Sequence, residues 1–254
     1  MIIAIINNKG GTGKTTTSVN LSAAFADSGY RVLLVDLDSQ ASASLSLGIK
    51  YSDLAPSMAD VLFDDILIKS AVRPSARQRL ELVTGGTELA NSDLILADVP
   101  GRENRLAECL KGIRQEYDFI ICDCPPSLSL LSINAMVAAD RYIVPLTAEY
   151  LALEGLISLM AAVEKLKTGM GIDTELLGIL FTMVGTGLKS AREIVDLVLE
   201  HYGEDVFKTR IRRNVSLGEA PSFGMNIFDY APKAHGAEDY LMLADEVVER
   251  CGIK

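Results

Sequence analysis

The stretch Ile2-Ile3-Ala4-Ile5-Ile6-Asn7-Asn8-Lys9-Gly10-Gly11-Thr12-Gly13-Lys14-Thr15-Thr16 decides the reading of this chain. Its first five residues form an unbroken apolar run rich in isoleucine, as a strand covered on both faces requires. A glycine-rich loop follows. The segment from Lys14 to Ser28 then takes up helical periodicity, with Val19, Leu21, Ala24 and Phe25 available for packing and Gly29 placed to end it. Glycines let a backbone curl until several N–H groups point at one anion, and the start of the next helix adds partial positive charge. Strand, loop, Lys-Thr pair and helix coincide in the order that a phosphate-binding loop, or P-loop, needs. The expected ligand is Mg-ATP, cradled by Lys9, Gly10, Gly11, Thr12, Gly13, Lys14, Thr15 and Thr16. Lys14 serves the β and γ phosphates and the Thr15 hydroxyl serves Mg²⁺.

Two features of the loop depart from the strict Walker A pattern. Asn8 stands where that pattern has its first glycine, and a second lysine, Lys9, opens the loop. Lys9 reads either as a solvated surface lysine or as a second phosphate contact.

Outward from this loop, β-branched runs alternate with amphipathic stretches. Strands are predicted at Ile2–Ile6, Val32–Asp36, Leu80–Val83, Phe119–Cys122, Tyr142–Pro145, Leu177–Met183 and Val206–Ile211. A further helix is predicted from about Glu149 to Lys167, and a last one from about Ala237 to Arg250. The stretch Ile49–Arg79 is irregular and reads as helical turns and loops. Alternation of this kind implies an α/β fold: a doubly wound, mostly parallel sheet with helices on both faces, of the P-loop NTPase class. With no repeat, low-complexity tract or long Pro/Gly linker, residues 1–254 read as one domain.

Composition limits the function classes. At 254 residues and 49% hydrophobic, the chain is long enough for a sizeable core. No apolar run approaches the ~18 residues of a membrane span. The apolar N-terminus lacks the basic flank and cleavage site of a signal peptide, which predicts a cytoplasmic protein. The net charge of −10 means that any nucleic-acid contact rests on a local basic patch. Cys109, Cys122, Cys124 and Cys251 match no zinc spacing; Cys122 and Cys124 read as small core residues, with a shared metal or cluster site as the alternative.

Parallel sheets carry their functional groups at strand C-termini. Two apolar strands here lead into acids: Val32–Val35 into Asp36-Leu37-Asp38, and Phe119–Cys122 into Asp123-Cys124-Pro125-Pro126. An Asp in that place beside a P-loop holds Mg²⁺ directly or through water, and Asp123 is assigned that role. Asp36 and Asp38 are expected in the metal shell and at the attacking water, unless one of the three only caps a helix. No Asn-Lys-x-Asp motif for guanine follows.

These residues resemble the ParA/Soj partition ATPases, within the deviant Walker A group that also holds MinD. The likeness rests on Lys9–Thr16, on Val35-Asp36-Leu37-Asp38-Ser39-Gln40, on Asp123–Pro126, on Ala148–Gly155 and on Arg213–Gly224, and so spans almost the whole chain. The resemblance implies a cycle. ATP joins two subunits face to face, with Lys9 reaching the partner's phosphates and Lys14 binding its own subunit's nucleotide. Catalysis falls to Lys9, Lys14, Asp38 (which positions the attacking water) and Asp123. Nucleotide contacts extend to Arg213 and Asn214, and metal contacts to Thr15, Asp38 and Asp123. The ATP homodimer binds DNA without sequence preference and so joins the nucleoid, until a ParB-like protein stimulates slow hydrolysis. Ser39 replaces the family's usual proline, and Cys124 its usual alanine. Ser216 stands where Soj-type proteins commonly carry a DNA-contacting arginine.

Three other readings are separable. One is a ParA-like ATPase that positions a protein cargo in place of DNA. A MinD-like switch ends in a basic amphipathic helix, whereas the last helix here holds Glu238, Asp239, Asp245, Glu246 and Glu249, so no membrane partner is expected. A nitrogenase reductase-like protein needs cysteines at the dimer face, and Cys122 and Cys124 flank Asp123 on a predicted buried strand. For DNA, the cations of Val206–Arg213 recur at every second residue, so Lys208, Arg210 and Arg212 are expected on one face of a strand, with Phe207 and Ile211 on the other. Lys189 and Arg192 would extend this stripe. The alternative is a solvated edge strand whose charges deter aggregation.

Overall fold

The computed structural model describes residues 1–149, 152–185 and 189–253, with the backbone alone at 189–191. Its centre is a seven-stranded sheet in the order β3-β4-β2-β5-β1-β6-β7. The strands are β1 Ile2–Ile5, β2 Val32–Asp36, β3 Arg73–Pro74, β4 Leu80–Val83, β5 Phe119–Asp123, β6 Arg141–Thr147 and β7 Glu175–Thr182. All neighbours pair in parallel except β3, a two-residue strand antiparallel to β4 at the edge. Alternate residues of β1 enter different cores. Ile2, Ala4 and Ile6 pack with Leu156, Leu159 and Val163 of the helix Ala152–Met170. Ile3 and Ile5 pack with Phe25 of the helix Lys14–Asp27 and with Leu243 of the helix His235–Arg250. This two-sided burial is why the strands read as continuous apolar runs. The doubly wound, mostly parallel fold expected from the sequence is the one observed.

Boundaries shift by a few residues, as hydrogen-bond bookkeeping at element ends does. The helix after the loop runs Lys14–Asp27, and Ser28 caps it through Ala24 O; Gly29 follows at φ 94°. Phe25 stacks on Phe119 at 4.0 Å between ring centroids and fixes this helix over β5. The irregular stretch 49–79 does resolve into one-turn and two-turn helices, among them Met58–Phe63, which starts in a capping box formed by Ser57 and Asp60. Among the described residues no helix is long and apolar enough to cross a membrane.

One predicted strand is corrected. Val206–Ile211 runs parallel to the outer edge of β7, touching it in isolated bridges from Ile179 to Val206 and from Val184 to Arg212. Phe207 and Ile211 donate to Ile179 O and Phe181 O. The amides of Lys208 and Thr209, however, donate to the Glu246 carboxylate at 2.8 Å each, so the ladder is broken by a side chain from the last helix.

Candidate functional site

Sheet order brings the site together. β1 lies between β5 and β6, and β2 lies on the far side of β5, so the C-terminal ends of β1, β5 and β2 open onto one edge. The loop 7–13 leaves β1 at that edge. Asn7 anchors it below by donating to Pro145 O at 2.7 Å, and Thr182, at the end of β7, donates to Thr12 O at 2.8 Å. Gly11 and Gly13 take φ of 73° and 85°, which a residue with a Cβ adopts only under strain. No side chain caps the helix that starts at Lys14, and its first turn holds no acid, so its free N–H groups are left for an anion.

Lys14 is 6% exposed, and its amine turns back to donate to Lys9 O at 2.7 Å. Burial pulls its pKa down, and the nearby Asp123 carboxylate pushes it back up. An ammonium held in this way needs a stronger anionic partner than a carbonyl. The Thr12 hydroxyl is buried with no hydrogen-bond partner. Open space above Gly10 and Gly11, an orphaned hydroxyl and an underpaired ammonium fit a polyphosphate.

Asp123 is fully buried and accepts two hydroxyls, Thr15 Oγ1 at 2.8 Å and Ser18 Oγ at 2.8 Å. Among the described residues no cluster of three or more His, Cys, Asp and Glu side chains is arranged to hold a metal. The residues that would hold a cation at this edge are Thr15, through its hydroxyl, and Asp123, oxygen donors of the kind Mg²⁺ takes.

Asp36 and Asp123 stand opposite one another in the pairing of β2 with β5. Burial raises both carboxyls above the ordinary range, and for Asp123 the charge of Asp36 is the next cause. Their partners separate their roles. Asp36 accepts from Ser44 N at 2.9 Å, Ser44 Oγ at 2.7 Å and Asp38 N at 3.1 Å. Both of its oxygens accept from the segment 38–44, so Asp36 ties that loop to the end of β2. Asp38 is half-buried and accepts from Gln40 N at 2.9 Å; its charge acts on both Lys14 and Asp123.

The loop's other flank carries a cavity of about 190 Å³ lined by Gly13, Thr16, Thr182, Arg213, Asn214 and Tyr240, among others. Arg213 and Asn214 thus reach the loop from far along the chain. Asn214 also caps the short helix Val215–Glu219 by accepting from Ser216 N at 2.8 Å. Sequence reasoning missed Ser18, Ser44, Thr182 and Tyr240. Their partners lie in other elements, and only Ser18, one turn beyond Lys14, gave a signal in its spacing.

Cys122 and Cys124 are core residues, with the Cys122 thiol pushed up to about 12 by burial. The cationic stripe is partly as expected. Lys208 and Arg210 are exposed while Phe207, Thr209 and Ile211 are buried. Arg212 faces acids instead: its Nε lies 2.9 Å from Asp239 Oδ1 and its Nη2 2.6 Å from Glu238 Oε2. These hydrogen bonds raise the pKa of its guanidinium and correct its assignment as a free phosphate contact. Arg192 is exposed on the helix Lys189–Tyr202, and the Lys189 side chain lies outside the described residues.

Comparison with known proteins agrees with this geometry. A family model described as an AAA domain matches residues 1–176. The sporulation initiation inhibitor protein Soj of Bacillus subtilis (strain 168) is 43% identical over 246 residues, covering 97% of this chain and 97% of that protein. The chromosome-partitioning ATPase Soj of Treponema pallidum (strain Nichols) is 39% identical over 250 residues, covering 98% of each. Among solved structures, cobyrinic acid a,c-diamide synthase from Mycobacterium smegmatis with bound ADP and magnesium superposes with a TM-score of 0.86 at 30% identity, covering 99% of this chain and 95% of that one.

Proposed function

The chain belongs to the ParA/Soj family of partition ATPases, and from that premise we propose that it is a switch in which Mg-ATP joins two subunits and hydrolysis parts them. It is a positioning ATPase of the ParA type that takes ATP and Mg²⁺. The observation that carries the mechanism is the pairing of Thr15 with the buried Asp123 beneath an uncapped helix start. Lys14 and the loop amides would bind the phosphates, and the Thr15 hydroxyl and Asp123 would hold the cation. Mg²⁺, when bound, neutralises charge on the β and γ phosphates. Asp38 orients the attacking water, and its hold on Gln40 N keeps the carboxylate in place. Arg213 and Asn214 border the cavity for the remainder of the nucleotide.

Lys9 leaves the same loop and is exposed, with its backbone carbonyl accepting from Lys14 Nζ. It acts on the nucleotide of the second subunit. The ATP dimer binds DNA without sequence preference through Lys208 and Arg210, extended by Arg192 and Lys189, and a ParB-like protein triggers its release. Sedimentation tests this. Wild type and Asp38→Ala should form dimers with Mg-ATP, and Lys9→Ala should stay monomeric. A constitutive dimer, or normal dimerisation of Lys9→Ala, would overturn the switch.

A further inference from the structure

Lys9 lies against one particular residue. Its backbone is pinned on both sides, with N donating to Asn7 Oδ1 at 3.0 Å and O accepting from Lys14 Nζ at 2.7 Å. From that fixed start its side chain extends to the first turn of the helix Ala152–Met170. A Cβ placed on Gly155 would stand 3.0 Å from Lys9 Cε, 3.1 Å from Nζ and 3.9 Å from Cδ. A glycine in a helix is a poor helix former, so its presence here carries a cost that alanine would avoid. What the missing methyl leaves room for is the end of Lys9.

We propose that Gly155 is a positioning residue. It seats the Lys9 side chain against its own subunit and withholds it from the partner's phosphates until ATP brings the two loops together. This rests on the trans role proposed above for Lys9. The end of the lysine packs where the methyl is missing, on a first turn whose acid is Glu154. A polyphosphate from the facing subunit outbids this seat. A methyl at position 155 would meet the mobile end of a side chain, so it displaces Lys9 by a few tenths of an ångström or more without disturbing the core.

Two measurements test the seat, on wild type, Gly155→Ala, Lys9→Ala and the double variant. The first is acylation of lysine amines in the nucleotide-free protein, read by peptide mass spectrometry with the other lysines as internal reference. Gly155→Ala should raise Lys9 labelling at least about twofold, because the competent population grows. The second is the concentration for half-dimerisation with Mg²⁺ and a non-hydrolysable ATP analogue. Gly155→Ala should lower it by about threefold or more in the Lys9 background and leave it unchanged in the Lys9→Ala background. Unchanged labelling overturns the seat. An equal shift in the Lys9→Ala background overturns it as well, since the substitution would then act through the helix. If Lys9→Ala dimerises like wild type, the trans reading fails and takes the withholding with it, while the labelling result still reports independently on the contact.

Discussion

Replacing Ser18 with alanine separates the support of Asp123 from the metal role proposed for it. Asp123 is fully buried and has two hydroxyl partners, Thr15 and Ser18. Ser18 is also fully buried, and its Oγ lies 3.0 Å from Lys14 O. A hydrogen bond to a charged group contributes about 1.5–3 kcal/mol, and a buried carboxylate that loses one has no water to replace it. Ser18→Ala should therefore destabilise the nucleotide-free protein by roughly 2 kcal/mol near pH 8, which for a chain of this size lowers Tm by about 4–8 °C. The loss should shrink at lower pH, because a protonated Asp123 needs fewer donors. Ser18 faces the carboxylate from behind the site, so Mg-ATP affinity, measured by calorimetry, should fall much less in Ser18→Ala than in Thr15→Ala. Urea and thermal unfolding at two pH values give the first half of the test. A stability loss under about 0.5 kcal/mol would show that Ser18 does not hold the carboxylate. A drop in affinity equal to that of Thr15→Ala would refute the division between the two hydroxyls.

The buried acids make stability pH-dependent even without a ligand. Burial raises the folded-state pKa of Asp36 and Asp123, so between the unfolded value near ~3.9 and the raised values the native state binds more protons than the unfolded chain, and stability falls as pH rises. The nucleotide-free protein should melt higher near about pH 6 than near pH 8, and Asp123→Asn should flatten that dependence; a melting point that climbs across the same range contradicts the assignment. A Cβ at Gly85 would overlap Asp38 O and stand 3.0 Å from Asp36 Oδ1. Gly85→Ala should thus shift the Asp38 loop by about 1 Å and cut turnover on the order of a hundredfold with ATP binding largely kept, as a steady-state assay beside a binding isotherm would reveal. Lys14→Ala should instead lose ATP binding itself. For DNA, removing the charges of Lys208 and Arg210 should weaken binding and reduce its salt dependence by roughly 0.9 per lost phosphate contact, with dimerisation intact; an unchanged salt slope would reject these residues as the contact.

The sequence by itself determined the local chemistry of this protein. Apolar runs, a glycine loop with Lys14 and Thr15, and acids at two strand ends are written in neighbouring residues, because strand period, helix start and left-handed glycine are short-range constraints. That sufficed for the doubly wound sheet and for an Asp123 at a strand end beside the glycine loop. Tertiary structure decided what depends on partners from elsewhere. Asp36 and Asp123 look alike as strand-end aspartates, and only the facing Ser44 and Thr15 tie one to its own loop and the other to the first turn after the glycine loop. The alternation at Val206–Ile211 was legible, but not the Glu246 carboxylate that takes two of its amides, nor the Asp239 and Glu238 that claim Arg212. The cavity beside the loop draws Gly13, Thr182, Arg213 and Tyr240 from distant segments, and Lys9 meets Gly155 across the sheet edge. Such contacts are fixed by strand order and helix packing, and a side chain carries no record of them in its immediate neighbours along the chain.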